Sequence, residues 1–169
     1  MFTELGQEAP RQEDERGWLQ VLYEEGEVVL KRSFSRAGVF RGMHAQQAPS
    51  LQRKLIRVES GRIVDFAFDF TATDPVLHFR PLAPADGWIA IPARAAHGFF
   101  AVEETVFDYV CHGAYDEARE GAWSIAAVLA ETGVMPEPIL SAKDRAAPAI
   151  TLPFAPGLTD QELAAALNS

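Results

Sequence analysis

Short apolar runs broken by charged turns recur along most of the chain. Residues 18–23 and 27–34 read as two strands around Glu24-Glu25-Gly26, and residues 38–46 as a third. The stretch from Gln52 to Phe70 predicts a long β-hairpin turning at Glu59-Ser60-Gly61-Arg62. In its second half Val64, Phe66, Phe68 and Phe70 share one face, while Asp65, Ala67 and Asp69 share the other. With Ser60-Gly61 as the tight turn, Ile56 opposes Asp65 and Lys54 opposes Ala67. Lys54 then lies diagonally between Asp65 and Asp69, within reach of both. The phenylalanine face belongs to a core. The Lys/Asp face is either plain solvent surface or the wet interior of a barrel. Further strands are expected at 76–82 and 87–91, and a second hairpin joins 98–102 to 105–112 across Glu103-Glu104. Residues 116–132 fit helix or strand equally, because short apolar runs do not separate the two. Thr159-Asp160-Gln161-Glu162 is a capping box that starts a short helix over 159–168. Residues 1–13 are polar and read as loose. The sum is an all-β fold, a sandwich or jelly-roll barrel, with a short C-terminal helical segment.

Composition narrows the function. A chain of 169 residues suits one domain, 1–169, with a real core. A net charge of −9 argues against a nucleic-acid surface, which needs a basic face. Cys111 is the single cysteine, which excludes an intramolecular disulfide and a structural zinc set. The N-terminus is acidic and polar, and no stretch is apolar enough to span a bilayer. A soluble cytoplasmic protein is the default.

Chemistry gathers around Ser35-Arg36-Ala37-Gly38-Val39-Phe40-Arg41-Gly42-Met43-His44-Ala45-Gln46. Arg41 carries a planar cationic fork suited to phosphate. His44 can exchange a proton near neutral pH. The ordinary alternative is a solvated edge arginine and a hydrogen-bonded strand histidine. Phosphate loops of the Walker or dinucleotide type are absent, as is a nucleophile elbow. A metal-dependent cupin barrel wants a His-x-His pair, but Gln46 holds the second place, and His44 with His97 alone makes a poor metal site. What remains is a set of proton-handling groups: His44, Lys54, Asp65, His97, Tyr109 and Asp144. A histidine with a carboxylate is a general-base pair, and a lysine can face a developing oxyanion. A tyrosine can return a proton to the opposite side of a planar intermediate. Each has a purely structural alternative.

The motifs Ser-x-Ser-x-x-Gly-Val-x-Arg-Gly-x-His-x-Gln and Lys-Leu-Ile-Arg-Val-x-x-Gly-x-x-x-Asp resemble the dTDP-4-dehydrorhamnose 3,5-epimerase family. Ile91-Pro92 through His97-Gly98-Phe99, Tyr109, Tyr115-Asp116, Glu120-Gly121 and Leu140-Ser141-Ala142-Lys143-Asp144 continue the match in order. The resemblance runs from about Asp14 to Pro148 and is weak over 71–90 and 122–138. It implies a cupin-like jelly-roll barrel that uses no metal and no cofactor and forms homodimers exchanging N-terminal strands. It further implies that His44, paired with Asp144, is the base acting next to the 4-keto group of a nucleoside-diphosphate 4-keto-6-deoxysugar. Lys54 would stabilise the enolate oxygen and Tyr109 would reprotonate from the other side. Arg16 and Arg41 would hold the diphosphate and sugar, with Gln46, Asp65, His97 and Lys143 lining the pocket. Tyr115 would stack on the base, and Glu120 would contact substrate.

Several positions depart from the family pattern. Where the family has Arg-Gly-Phe-Phe-x-Glu this chain has Arg16-Gly17-Trp18-Leu19-Gln20-Val21, and its Gln-x-Asn is Val29-Leu30-Lys31 here. Ala45 replaces an aromatic, and Trp123 falls out of register. The lost groups are mostly nucleotide- or sugar-contacting, whereas the proton-transfer set is intact. The expectation is epimerase chemistry at carbon 3, carbon 5 or both, on an altered nucleotide sugar. The alternatives are a related ketoisomerase and a non-catalytic sugar-nucleotide-binding barrel. One geometric demand follows. Straight-strand alternation puts Arg41 and His44 on opposite faces, so serving one pocket requires a bulge near Gly42.

Overall fold

Alternation in the strands is satisfied on both sides of two antiparallel sheets that face each other. The computed structural model describes residues 9–168. In chain order the elements are β1 (Gln12–Asp14), β2 (Gly17–Glu25), β3 (Val28–Ser35), β4 (Phe40–Gln46), β5 (Arg53–Ser60), β6 (Ile63–Asp69), β7 (His78–Leu82), β8 (Ile89–Ile91), β9 (Ala95–Ala101), β10 (Thr105–His112), β11 (Glu120–Ala122), α1 (Ala126–Glu131), α2 (Ala142–Ala146) and α3 (Asp160–Asn168). One sheet runs β1-β2-β3-β10-β5-β8 and the other β11-β4-β9-β6-β7. The expected all-β jelly-roll with a C-terminal helix is what forms.

The strands expected at 18–23 and 27–34 pair with each other as β2 and β3. The two expected hairpins, at 52–70 and 98–112, are not hairpins. β5 pairs with β10 and β8, while β6 pairs with β7 and β9. Likewise β9 pairs with β4 and β6, but β10 with β3 and β5. At both turns the chain crosses from one sheet to the other, and a turn signal reads the same for a corner as for a hairpin. Lys54 therefore faces Cys111 and Ile91 across its sheet, not Ala67, and Asp65 faces Phe99 and Arg80, not Ile56.

Two apolar clusters account for the strand faces. Ile56, Val58 and Phe107 from the six-stranded sheet meet Ile63, Phe99 and Ala101 from the other, closing the space between the sheets. Val64, Phe66 and Phe68 point the opposite way and are covered by Ile125, Leu129 and Leu163 of the C-terminal segment. The phenylalanine face is thus core, but on the outside of its sheet. Asp65 looks inward and is only 4% exposed, while Asp69 at the end of β6 stands at the rim and pairs with Arg94. The solvent alternative is excluded for Asp65.

The ambiguous 116–132 stretch resolves into a 3-10 turn, the short strand β11 and helix α1. Trp123 between them packs edge-on against Phe68 and stacks on Phe70. Thr159 caps α3 by accepting from the Glu162 amide at 3.3 Å, and Leu163 and Ala166 anchor the helix. Part of the segment expected to be loose is ordered: Gln12–Asp14 pairs with β2. Residues 1–8 of that expectation lie outside the described residues. No described helix is long and apolar enough to cross a membrane.

Candidate active site

Gly42 decides which side chains reach the space between the sheets. Along β4, Phe40, Met43 and Ala45 belong to the outer cluster, whereas Arg41 and His44 line the inter-sheet cavity. On β9, Phe99 pairs with Arg41 and His97 with His44, so β4 carries one extra residue between the two pairs. This is the bulge that the sequence demanded. Gly42 has φ +116°, and a Cβ there would sit 2.6 Å from Gly98 Cα and 2.7 Å from the His97 carbonyl oxygen. Only glycine fits that conformation in that gap.

His44 is backed by a carboxylate from far along the chain. Ser141 caps α2, accepting from the Asp144 amide at 3.0 Å, and this turn holds Asp144 against β4. His44 Nε2 lies 2.7 Å from Asp144 Oδ1, and Arg16 Nη1 lies 3.2 Å from Oδ2. The Asp144 side chain is 1% exposed. Burial alone raises its pKa, but contacts with His44, Ser141 and Arg16 outweigh this and hold the carboxyl below its ordinary range. An ionised partner at Nε2 fixes the imidazole and stabilises its charged form.

Around this pair stand groups from both sheets. Lys54 donates to the His44 carbonyl oxygen at 3.2 Å. Burial lowers its pKa, and nearby Lys31 adds to that, against opposing pulls from Cys111, Glu120 and Asp65. Burial drives the Tyr109 pKa strongly upward, so its phenol stays protonated. His97 Nε2 lies 2.6 Å from Asp65 Oδ1, and its ring stacks near Phe107. Arg41 donates to Ser35 Oγ at 2.8 Å and to the Phe34 carbonyl at 3.0 Å; burial lowers its pKa. Gln46 Oε1 accepts from the Asp116 amide at 3.0 Å. Glu120 accepts from Tyr115 at 3.0 Å and pairs with Lys143. Burial opposes ionisation of Glu120, but Lys143, His44 and Tyr115 prevail and lower its pKa. Tyr115 is raised to about 12, by burial first and then by Glu120.

The cavity has two lobes of about 100 and 120 Å³ that share His44, Lys54 and Tyr109. Arg41 and His97 line the inner lobe; Gln46, Tyr115 and Glu120 line the outer one. The remaining four expected site residues line neither lobe and stand behind those that do. Asp144 and Arg16 back His44, Asp65 backs His97, and Lys143 backs Glu120. Sequence reasoning missed Ser33, Lys31, Gln52 and Cys111, which also face the cavity. A usable signal existed: Lys31, Ser33 and Ser35 are alternate polar positions sharing one face of β3.

The family model for dTDP-4-dehydrorhamnose 3,5-epimerase matches residues 6–151. A curated epimerase of that name from Salmonella typhimurium is 33% identical over 153 residues, covering 80% of this chain and 84% of its own. The crystal structure of the enzyme of that name from Elizabethkingia anophelis superposes with a TM-score of 0.65 at 30% identity, covering 83% of this chain and 87% of its own. A Legionella pneumophila dTDP-6-deoxy-D-glucose-3,5-epimerase, solved in complex with dTDP-4-keto-L-rhamnose, gives a TM-score of 0.63 at 27% identity, covering 86% and 90%. The chain therefore belongs to the dTDP-4-dehydrorhamnose 3,5-epimerase family.

Proposed function

We propose that this protein epimerises a nucleoside-diphosphate 4-keto-6-deoxysugar by deprotonation and reprotonation through an enolate. His44, held by Asp144, removes the proton from a carbon next to the keto group. The C–H electron pair moves into the ring as the carbonyl oxygen takes up negative charge beside Lys54. Tyr109 then supplies a proton from the other side and inverts the centre. Arg41, Gln46, His97, Tyr115 and Glu120 contact the substrate, while Arg16, Asp65 and Lys143 hold those groups in place.

One observation carries this proposal. A carboxylate-backed histidine on the five-stranded sheet and a protonated phenol on the six-stranded sheet border the same cavity. A planar enolate lying between the sheets has a base on one face and an acid on the other. Binding alone has no use for that pairing.

Incubating the protein in deuterated water with thymidine-, guanosine- and cytidine-diphosphate 4-keto-6-deoxysugars tests it. Deuterium is expected at carbon 3, carbon 5 or both, with inversion at the labelled centre. Absence of label from every candidate would sink the catalytic proposal in favour of a binding barrel. Label with migration of the carbonyl would make the enzyme a ketoisomerase.

The proposal extends to a homodimer formed through the outer face of the six-stranded sheet. There Trp18, Phe34 and Val106 form one half-buried apolar band, and Leu30, Val110 and Leu55 another. Between them Asp108 accepts from Arg32 at 2.6 and 2.8 Å, and is 3% exposed despite its outward position. Paired charges between apolar bands suit a self-complementary contact about a two-fold axis. Sedimentation equilibrium is expected to give twice the chain mass, and Val110→Arg to give the monomer. A monomeric parent protein would overturn the dimer.

A further inference from the structure

Lys31 has no part in the chemistry above, yet its surroundings are unlike those of the other cations near the site. On β3 it lies directly opposite Tyr109 of β10, and its neighbour in the alternation, Ser33, lines the inner lobe. Its ammonium sits 5.9 Å from the Tyr109 ring centroid and 5.8 Å from that of Tyr115. Arg41 is engaged by Ser35 and the Phe34 carbonyl, and Arg16 by Asp14 and Asp144. Among the described residues, Lys31 has no carboxylate within ion-pair distance, and it faces the outer lobe.

We infer that Lys31 is a positioning residue for Tyr109, stabilising the phenolate left when Tyr109 gives its proton to the enolate. This rests on Tyr109 being the acid. In the step, the Tyr109 O–H bond breaks and the enolate C=C pair forms the new C–H bond. The carbonyl is restored, negative charge leaves the oxygen beside Lys54, and the same charge appears on the phenolate oxygen. A solvent proton arriving through the outer lobe regenerates the phenol. Charge thus passes from the neighbourhood of one lysine to that of the other. A phenolate in a water-poor interior is costly; Arg41 and Arg16 already act on Tyr109, and Lys31 adds a third cation, 5.9 Å from the centre of the ring over which phenolate charge spreads. Where the family pattern has asparagine, a neutral side chain offers no such counter-charge.

The experiment compares Lys31→Met, Lys31→Asn and Lys31→Arg with the parent protein on whichever 4-keto-6-deoxysugar nucleotide shows exchange. Deuterium wash-in without inversion reports proton removal and return by His44, while inverted product reports delivery by Tyr109. Lys31→Met and Lys31→Asn are expected to keep wash-in and to lower the ratio of inversion to wash-in by roughly 10–100-fold. Lys31→Arg is expected to restore it. An unchanged ratio in both neutral variants overturns the inference, and a rise in KM alone makes Lys31 a substrate contact instead. Tyr109→Phe separates the two levels. If that variant inverts normally, the acid assignment itself fails; if it loses inversion while Lys31→Met does not, only the role of Lys31 fails.

Discussion

His44→Ala is expected to lower solvent-deuterium incorporation by at least 10²–10⁴-fold, roughly the contribution of a positioned general base. The loss is confined to chemistry because of where the side chain sits. His44 points into the cavity and is 27% exposed, so its removal opens no apolar core. It does strip Asp144 of its nearest partner. Arg16 and Ser141 remain against that carboxylate, so the stability cost stays near 1–3 kcal/mol, the usual penalty for a weakened buried polar contact. Asp144→Asn is expected to act through His44: with no anion at Nε2 the imidazolium loses its counter-charge, and exchange slows while nucleotide binding persists. Mass-spectrometric exchange rates, read beside thermal melts, check both variants. Exchange in folded His44→Ala within tenfold of the parent would remove His44 from the base role.

Gly42→Ala is expected to damage both stability and activity although it adds one methyl group. At φ +116° an alanine costs about 1–3 kcal/mol in backbone strain alone. Its Cβ also meets main-chain atoms of Gly98 and His97 rather than a flexible side chain, so β4 and β9 must separate. A chain of this size loses about 2–4 °C of melting temperature per kcal/mol, and a drop of several degrees is expected. The parting strands carry His44 and His97 opposite each other. A displacement of about 1 Å in such a pair can cost about 10²-fold in rate. Gly98→Ala is the matched control. Its Cβ would crowd the Arg41 carbonyl oxygen at 2.7 Å and Met43 sulfur at 2.9 Å, without positive φ. The expected order of damage is Gly42→Ala above Gly98→Ala. Equal melting temperatures and rates for Gly42→Ala and the parent would show that the bulge does not hold the site.

Lys31 marks how far local pattern could reach. Its alternation with Ser33 was readable as an inward polar stripe, but its position opposite Tyr109 depends on β3 pairing with β10, some eighty residues later in the chain. The same distinction holds for the acidic face of β6. Period-two alternation separates Asp65 from Phe66 unfailingly, because successive side chains leave a strand on opposite sides. It does not say which side becomes the interior. Here both sides are buried, one between the sheets and one beneath α1 and α3, so hydrophobicity alone names the wrong face as the inside of the barrel.

By itself the sequence determined most of the strands, though not β1 or β11, the turn between β2 and β3, the cap of α3, and the ordered motifs carrying His44, Lys54, Tyr109 and Asp144. These are local facts, set by side-chain periodicity, turn residues and capping groups within a few positions of each other. The tertiary structure decided that the chain crosses between sheets after β5 and β9, since a sharp turn permits either a hairpin or a corner. It also decided that Asp144, one hundred residues after His44, closes on that imidazole, and that Arg16 joins it. The bulge at Gly42 lies between the two levels. The sequence shows that Arg41 and His44 can share a pocket only through such a bulge, but the gap that fixes it is made by Gly98 on a neighbouring strand. Strand pairing across the sheet supplies that neighbour, and no local preference contains it.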